Sequence, residues 1–509
     1  MHLLSIYALS FASAVIVLFI WTIWRLIDRS TRTAIVLFIR KRLLYALVMR
    51  RLRTSSDISV LAGLNLLLFG AANVTACTLW VPNPAEIAKR CGTLFIINVI
   101  PLYLGGRTNY IADRIFRLQL NEYALLHRWI GRICVVQGLV HGFLNAATSR
   151  ASIVETILLS LVVALGCLSF LHLRRYMYEV FLKTHLLFAL ALAVVLWFHV
   201  RRSSTRASVC LGVASAAWLL QHVIWLIRLI HQTPGSRSTP IVSIEKFNAL
   251  TPNSPEAMAI ELKFERKWDL GPGQYIYITL PRLSLHTLGL IQSHPYVIAW
   301  IDGQDIIILV ERNKGFSNAI FALPTVTTHS AMVDGPYGRV QSLGQYDKVL
   351  LLASGIGVAA HLLHIRHLLE AHKDKSVRVR RVALTWFLET PEQERWADKF
   401  LERLRDIDSS NTYGRQIFVL KKCIPGAVEY QSQDLRYSIT PTILDLSAEI
   451  DGEAGVEGGN TAVLVCGNPH FENAVRKGVR SSKRDIHLFM TGFRPEESEA
   501  GKAARGRYC

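Results

Sequence analysis

The apolar positions along the chain fall into two regimes. Between residues 1 and 230 they gather into seven long runs, near 3–24, 58–80, 91–105, 123–147, 152–171, 177–199 and 208–230, each suited to crossing about 30 Å of hydrocarbon. The third is the shortest. Segment 3–24 lacks a basic leader and a small-residue cleavage site, so it is expected to be an anchor and not a signal peptide. Beyond 231 the runs become short. AMAIELKFE (257–265), QYIYITLP (274–281) and DIIILVE (305–311) predict strands of a small antiparallel barrel. From 346 onward, DKVLLLA (347–353), RRVALTWF (380–387), RQIFVL (415–420) and TAVLVCG (461–467) alternate with helical stretches, which predicts a parallel sheet covered on its faces. The polar segment 424–460 reads as a surface insertion.

The fold class that follows is a multi-pass α-helical membrane domain of about seven spans, then an antiparallel β-barrel, then an α/β parallel-sheet lobe. The boundaries expected are 1–230, 235–342 and 343–509. Composition agrees: 509 residues, 51% hydrophobic and 19% charged, exclude a disordered chain and disfavour an ordinary soluble enzyme. The net charge of +19 raises nucleic acid as a partner, but the basic residues form no aromatic-interleaved patch, so none is expected. From Arg25 to Arg53 nine Arg/Lys face one acid, Asp28. Placed directly after an apolar helix, they read as a positive-inside signal in contact with anionic membrane lipid. By parity, loops 25–57, 106–122 and 172–176 share one side and hold nine, three and two basic residues, against six on the other. That bias predicts a cytosolic C-terminal half, with Arg201, Arg202 and Arg206 pulling the opposite way. Eight scattered cysteines without a CxxC pair predict neither a disulfide framework nor a zinc site.

Four histidines carry the first chemistry. His127 and His141 lie fourteen residues apart on the fourth run, and His185 and His199 fourteen apart on the sixth. Fourteen residues make almost four helical turns, so each pair shares one face with about 21 Å between its members. The two runs are separated by one span and point the same way. His127 is then expected to face His185, and His141 to face His199, each pair suited to clamp one haem iron through two imidazoles. His172 and His222 have no partner at this spacing and read as packing residues.

KRCGTLFIINVIPLYLGGRTNYIADRIF (89–116), HRWIGRI (127–133) and the spaced histidines resemble the fungal ferric-chelate reductases, the metalloreductase branch of a group that includes the superoxide-making NADPH oxidases. The resemblance covers nearly everything from about residue 58 to about 475. It implies two b-type haems and a ferredoxin-reductase-like module that binds FAD in the barrel and NADPH in the lobe. The equal fourteen-residue intervals look more like the metalloreductases, since the oxidases have a second interval one residue shorter.

In the second half, HPY (294–296), KGFSN (314–318), DGPYG (334–338), SGIG (354–357) and CGNP (466–469) appear in the order of such modules. Gly355 and Gly357 stand where a strand turns into a helix, a place for a pyrophosphate. The resemblance implies that His294, Pro295, Tyr296 and Val297 line the isoalloxazine, and that Gly315, Phe316 and Ser317 hold the FAD pyrophosphate. It also implies that Gly335, Pro336, Tyr337 and Gly338 form the turn leading to the nucleotide lobe. Gly355, Ile356 and Gly357 would cradle the NADPH pyrophosphate, with Cys466, Gly467 and Pro469 approaching the nicotinamide. No side chain is assigned a catalytic role. Val297 replaces the family's usual threonine, and Trp300 stands where serine is common. Phe489, Phe493 and Tyr508 are candidates for the aromatic residue that shields the flavin.

The activity implied is electron transfer from NADPH through FAD and two haems to ferric, or cupric, chelates across a membrane. The plasma membrane is the default location, and the family leaves room for an iron-uptake partner. Arg201, Arg202 and Arg206 would attract anionic chelates at the outer mouth. The alternatives are a superoxide-producing oxidase and a non-catalytic membrane sensor or partner subunit.

Overall fold

The computed structural model describes residues 29–49, 57–81, 83–104, 120–148, 152–169, 178–232, 241–251, 255–264, 268–280, 293–313, 316–325, 329–410, 415–441, 445–456 and 458–491. The expected span 3–24, His172, Gly315, Phe493 and Tyr508 lie outside these residues, as do loops 106–119 and 172–176.

The other six predicted spans are helices: α2 (Val60–Thr78), α3 (Pro84–Tyr103), α4 (Leu120–Thr148), α5 (Ile153–Leu168), α6 (Tyr178–Ser203) and α7 (Thr205–Gln232), preceded by α1 (Arg29–Ile39). Local chemistry sets their starts. Ser59 caps α2 by accepting from the Ala62 amide, Asn83 caps α3 ahead of Pro84, and Ser152 with Glu155 forms a capping box on α5. Among the described residues four helices are long and apolar enough to cross a membrane, α2, α4, α6 and α7. Helix α5 is apolar but has 16 residues, and α3 begins with Glu86, Lys89 and Arg90. Inside the bundle three amides close on one another. Asn98 on α3 donates to Asn73 Oδ1 on α2 (2.8 Å) and to Gln137 Oε1 on α4 (3.0 Å), and Gln137 donates to Asn73 Oδ1 (3.0 Å). All three are buried. In an apolar bundle such a set fixes the mutual register of three helices.

A short antiparallel ladder, β1 (Leu47–Met49) with β2 (Ile58–Ser59), precedes α2, and the barrel is built from two further antiparallel sheets. One has the order β10-β5-β6 (Met332–Tyr337, Tyr275–Thr279, Ser293–Val297). The other is β7-β8-β4-β3-β9 (Trp300–Asp302, Asp305–Glu311, Ala257–Lys263, Ile241–Phe247, His329–Ser330). Between them lies an aliphatic core that includes Met258, Ile260, Leu262, Ile276 and Ile308. A short helix, α8 (Phe316–Phe321), sits between β8 and β9.

The lobe is a seven-stranded sheet ordered β14-β15-β13-β12-β11-β16-β17, parallel except at the β14 edge. Its strands are β11 (Lys348–Ser354), β12 (Arg381–Phe387), β13 (Phe418–Cys423), β14 (Tyr430–Gln431), β15 (Tyr437–Thr440), β16 (Thr461–Cys466) and β17 (Ile486–Met490). Helices α9 (Ala359–Lys373), α10 (Asp398–Ser409), α11 (Leu446–Gly455) and α12 (Pro469–Ser481) cover it. Strand β11 is buried on both faces, as a central parallel strand requires. The expectation of a surface insertion at 424–460 is corrected here. Strand β15 extends the sheet, and α11 buries Ile450 and Ala454 against β11 and β16. Two apolar residues on a short polar helix were too weak a periodic signal to read.

Two basic residues after α1 also have protein partners. Arg40 reaches Asp485 Oδ1 (3.1 Å) and His487 Nε2 (2.6 Å), Lys41 donates to the carbonyls of Ser482 and Arg484, and Arg480 donates to the Lys41 carbonyl (3.0 Å). Tyr45 is buried and its hydroxyl accepts from the Leu488 amide (3.0 Å). Asp57 pairs with Arg476 (3.3 Å). These residues strap the start of the helical bundle to α12 and β17.

Two histidines on α9, His361 and His364, are fully buried. Burial pulls the first down to about 4 and the second to about 3. Both are therefore neutral in the folded chain, while an unfolded chain protonates them below about 6.5. Stability from this source is complete above that value and falls with acidification, by about 1.4 kcal/mol per pH unit for each histidine, until the folded values are reached. Thermal unfolding of the detergent-solubilised chain between pH 7 and pH 5 should show this slope, and His364→Gln should reduce it. An unchanged slope in that variant would contradict the assignment.

Candidate functional site

The two predicted imidazole pairs come together. The rings of His127 and His185 lie 6.3 Å apart at 69°, and those of His141 and His199 lie 6.3 Å apart at 76°. About 6 Å between ring centres is what two imidazoles on opposite sides of one metal ion need, at about 2 Å per metal–nitrogen bond. At the first pair, Nδ1 of both His127 and His185 is buried without a hydrogen-bond partner, a costly arrangement unless a further group completes the site. At the second pair, His141 Nδ1–H donates to the Ala88 carbonyl (2.8 Å). That makes Nε2 the unprotonated nitrogen, the one a ligating histidine offers, and here it accepts from Asn145 Nδ2 (3.3 Å). Gly92 makes the seat: a Cβ there would lie 2.7 Å from His141 Nδ1. These residues fit two bis-imidazole haem sites. His222, by contrast, is exposed, bonds the Trp218 carbonyl and leans on the Trp218 ring at 4.0 Å and 40°.

In the lobe, β12, β13 and β15 extend to one side of β11, and β16 and β17 to the other. The chain thus reverses its strand order between β11 and β16, which is where open α/β sheets leave a crevice beyond the strand carboxyl ends. The SGIG and CGNP segments close on each other at that point. A Cβ on Gly357 would lie 2.2 Å from the Cys466 carbonyl oxygen, and one on Gly467 would lie 2.8 Å from Ser354 Cβ. Gly355 has φ +53°, its carbonyl accepts from Trp386 Nε1 (2.9 Å), and the space above it is open to 3.7 Å, where Gln393 stands. Ile356 is buried beside it. Asn468 caps α12, with Pro469 at the first helical position. Cys466 is buried at the end of β16. The arrangement fits a nicotinamide dinucleotide.

The barrel residues divide. On β6, Ser293, His294 and Pro295 stay half-buried while Tyr296 and Val297 turn into the core. His294 stacks on Phe316 at 4.3 Å and 20°, an aromatic and polar strip that fits a flavin edge. Ser317 Oγ exchanges hydrogen bonds with the Asn313 amide and carbonyl, both 3.0 Å. Trp300 does not line this strip. It is buried between the two soluble units, 5.4 Å from Phe400 on α10 and beneath the Arg366 guanidinium. The exchange of a small residue for tryptophan is thus an interface matter. Phe489 lies on β17, 6.0 Å from Tyr346.

Residues 334–338 do more than turn the chain. They include the end of β10, and the last membrane helix docks on them. Trp225 Nε1 donates to Asp334 Oδ2 (2.9 Å), Tyr337 donates to Asp334 Oδ1 (2.7 Å), and Arg228 donates to the Gly335 carbonyl (3.0 Å). Burial, then the Asp334 carboxylate, pushes the Tyr337 hydroxyl far above the usual phenol range, so it remains a donor. Gly338, with φ +81°, packs on Tyr275. This contact sets the barrel against the bundle at its His127/His185 end. Asp334→Ala strands the buried Tyr337 hydroxyl, at about 1–3 kcal/mol, and leaves the half-buried Trp225 Nε1–H without this acceptor. If the barrel feeds electrons to the bundle, passage from a nicotinamide to an acceptor beyond the bundle should fall at least ten-fold, while ferricyanide reduction at the barrel persists. Equal loss of both activities would contradict a docking role.

The fold joins an apolar helical bundle carrying paired imidazoles to an antiparallel barrel and a parallel α/β lobe with a crevice at its strand-order reversal. Family descriptions match in that order: "ferric reductase like transmembrane component" over residues 91–196, "FAD-binding domain" over 242–341 and "ferric reductase NAD binding domain" over 346–435. Two of these three descriptions name ferric reductases, so the chain is similar to that family segment by segment and in its domain order. It is 24% identical to a probable cell surface ferric reductase of Aspergillus oryzae, covering 65% of this chain and 47% of that one. It is also 24% identical to a ferric/cupric reductase transmembrane component of Saccharomyces cerevisiae, covering 55% and 39%. The chain thus spans about half or less of the length of these relatives. Among solved structures, a ferredoxin NADP+ reductase from Neisseria gonorrhoeae aligns over 50% of this chain and 98% of its own, at 12% identity and a TM-score of 0.36.

Proposed function

We propose that the chain is a transmembrane ferric-chelate reductase, taking electrons from NADPH on the cytosolic face and delivering them to Fe(III), or Cu(II), chelates across the plasma membrane. The observation that carries this reading is the pair of facing imidazole couples on α4 and α6, stacked one above the other at the barrel end and the far end of the bundle. Residues 1–230 would form the haem domain, 235–342 the FAD domain and 343–509 the nucleotide domain. Bound flavin supplies a carrier that accepts a hydride and releases electrons singly, and bound haem iron relays single electrons. His127 with His185, and His141 with His199, would hold the two irons. The Ala88 carbonyl and Gly92 orient His141, and the backbone of Gly355, Ile356, Gly357, Cys466 and Gly467 would receive the dinucleotide. His294 and Phe316 would bound the flavin, and Asp334 with Trp225 would keep it against the inner imidazoles. Ferric and ferric/cupric reductase relatives support metal chelates as acceptors.

The test uses membranes holding the protein, NADPH, a ferric chelate and superoxide dismutase. Ferrous product insensitive to dismutase is expected. Product abolished by dismutase would replace this reading with an oxidase, and no product from well-expressed, haem-free protein would replace it with a sensor or partner subunit.

A further inference from the structure

We propose that Cys77 and Cys91 form a redox-active thiol pair that closes to a disulfide beside the outer imidazole couple. Cys77 lies in the last turn of α2 and Cys91 in the second turn of α3, with both side chains buried and their sulfurs 3.3 Å apart. A disulfide bond of about 2.0 Å needs the sulfurs to close by only about 1 Å. The facing is fixed from both sides. Toward the helix ends, Arg90 donates to the carbonyls of Leu79 (3.0 Å) and Ala76 (3.3 Å). Deeper in the bundle, Asn98 donates to Asn73 (2.8 Å). The register that brings the thiols together is thus held by hydrogen bonds that do not involve them.

The position gives the pair a consequence. Ala88, whose carbonyl holds His141, is one turn before Cys91, and Gly92, which makes room for the His141 ring, is the next residue. Drawing Cys91 toward α2 moves the turn that seats His141. The site lies at the bundle end remote from the barrel, and with a cytosolic barrel that end meets the compartment where disulfides persist. The oxidant class is a small-molecule disulfide or azo compound. By exchange, two S–H bonds break, one protein S–S bond forms, and the two protons leave with the two small thiols released. With an azo oxidant, both protons and both electrons reduce N=N to HN–NH. The assignment needs neither haem nor any particular acceptor.

The experiment treats the full-length wild-type chain in membranes with the azo oxidant diamide, denatures it, alkylates remaining thiols and digests with trypsin. Cleavage at Lys89 and Arg90 puts the two cysteines on separate peptides. The expected result is a Cys77–Cys91 linked peptide in most molecules, lost on reduction with a phosphine, while Cys134 is recovered alkylated. The link should be absent from Cys77→Ser and from Cys91→Ala. Full alkylation of both cysteines in wild type after diamide, or linkage of either to another thiol instead, would overturn the proposal.

Discussion

Under the proposed function, His141→Ala should lower nicotinamide-driven ferric-chelate reduction at least 100-fold, while flavin bleaching by NADPH continues at the wild-type rate. The reason is geometric. The outer site consists of two rings 6.3 Å apart on separate helices, and one ring alone would not hold a haem iron there as the pair would. The defect is confined to that level, because His127 and His185 keep their own contacts near the barrel. Haem content should fall from two per chain to one. His222→Ala is the matched control, since that exposed ring only leans on Trp218. Stopped-flow absorbance, following flavin and haem bands separately, reads both variants. Retention of two haems and full activity in His141→Ala would contradict the pairing.

The second large effect is Gly357→Ala. Its Cβ would sit 2.2 Å from the Cys466 carbonyl oxygen and 2.7 Å from the carbonyl carbon. Both contacts are with backbone at the end of a central strand, which cannot step aside as a side chain would. The two loops must part, and the crevice between β11 and β16 loses its shape. Flavin reduction by NADPH should slow at least 100-fold, with FAD and haem content retained. Gly355→Ala offers a calibrated comparison: there the space is open, and only the positive φ opposes a side chain, costing about 1–2 kcal/mol. The ranking Gly357 far above Gly355 is the readable outcome, and a reversed order would refute the close-approach argument.

Much of the architecture was legible because its signals are local. The fourteen-residue intervals of His127/His141 and His185/His199 state a helix face directly, and the rings meet as that periodicity requires. The short strands and the glycine-bearing turns at 354–357 and 466–469 carry their geometry in a few neighbouring residues. What stayed hidden joins distant positions. Asp334 meets Trp225 across 109 residues, and Arg40 meets Asp485 across 445. A basic residue destined for a protein partner looks the same in sequence as one destined for lipid. The seat that Gly92 provides for His141 was equally invisible, because glycine in a membrane helix has many uses. Trp300, which stands where serine is common, packs on Phe400 between barrel and lobe, a contact no local pattern announces.

The central claim is that electrons cross the bundle by way of the two imidazole couples. Its most direct test is a sided assay in sealed proteoliposomes, with ferric chelate and a ferrous indicator trapped inside and NADPH supplied outside. Dismutase is present in both compartments. The account predicts ferrous product inside the vesicles, lost in His141→Ala and in His199→Ala. Rapid flavin bleaching by NADPH in wild-type protein with two haems bound, but no trapped iron reduced, would contradict it.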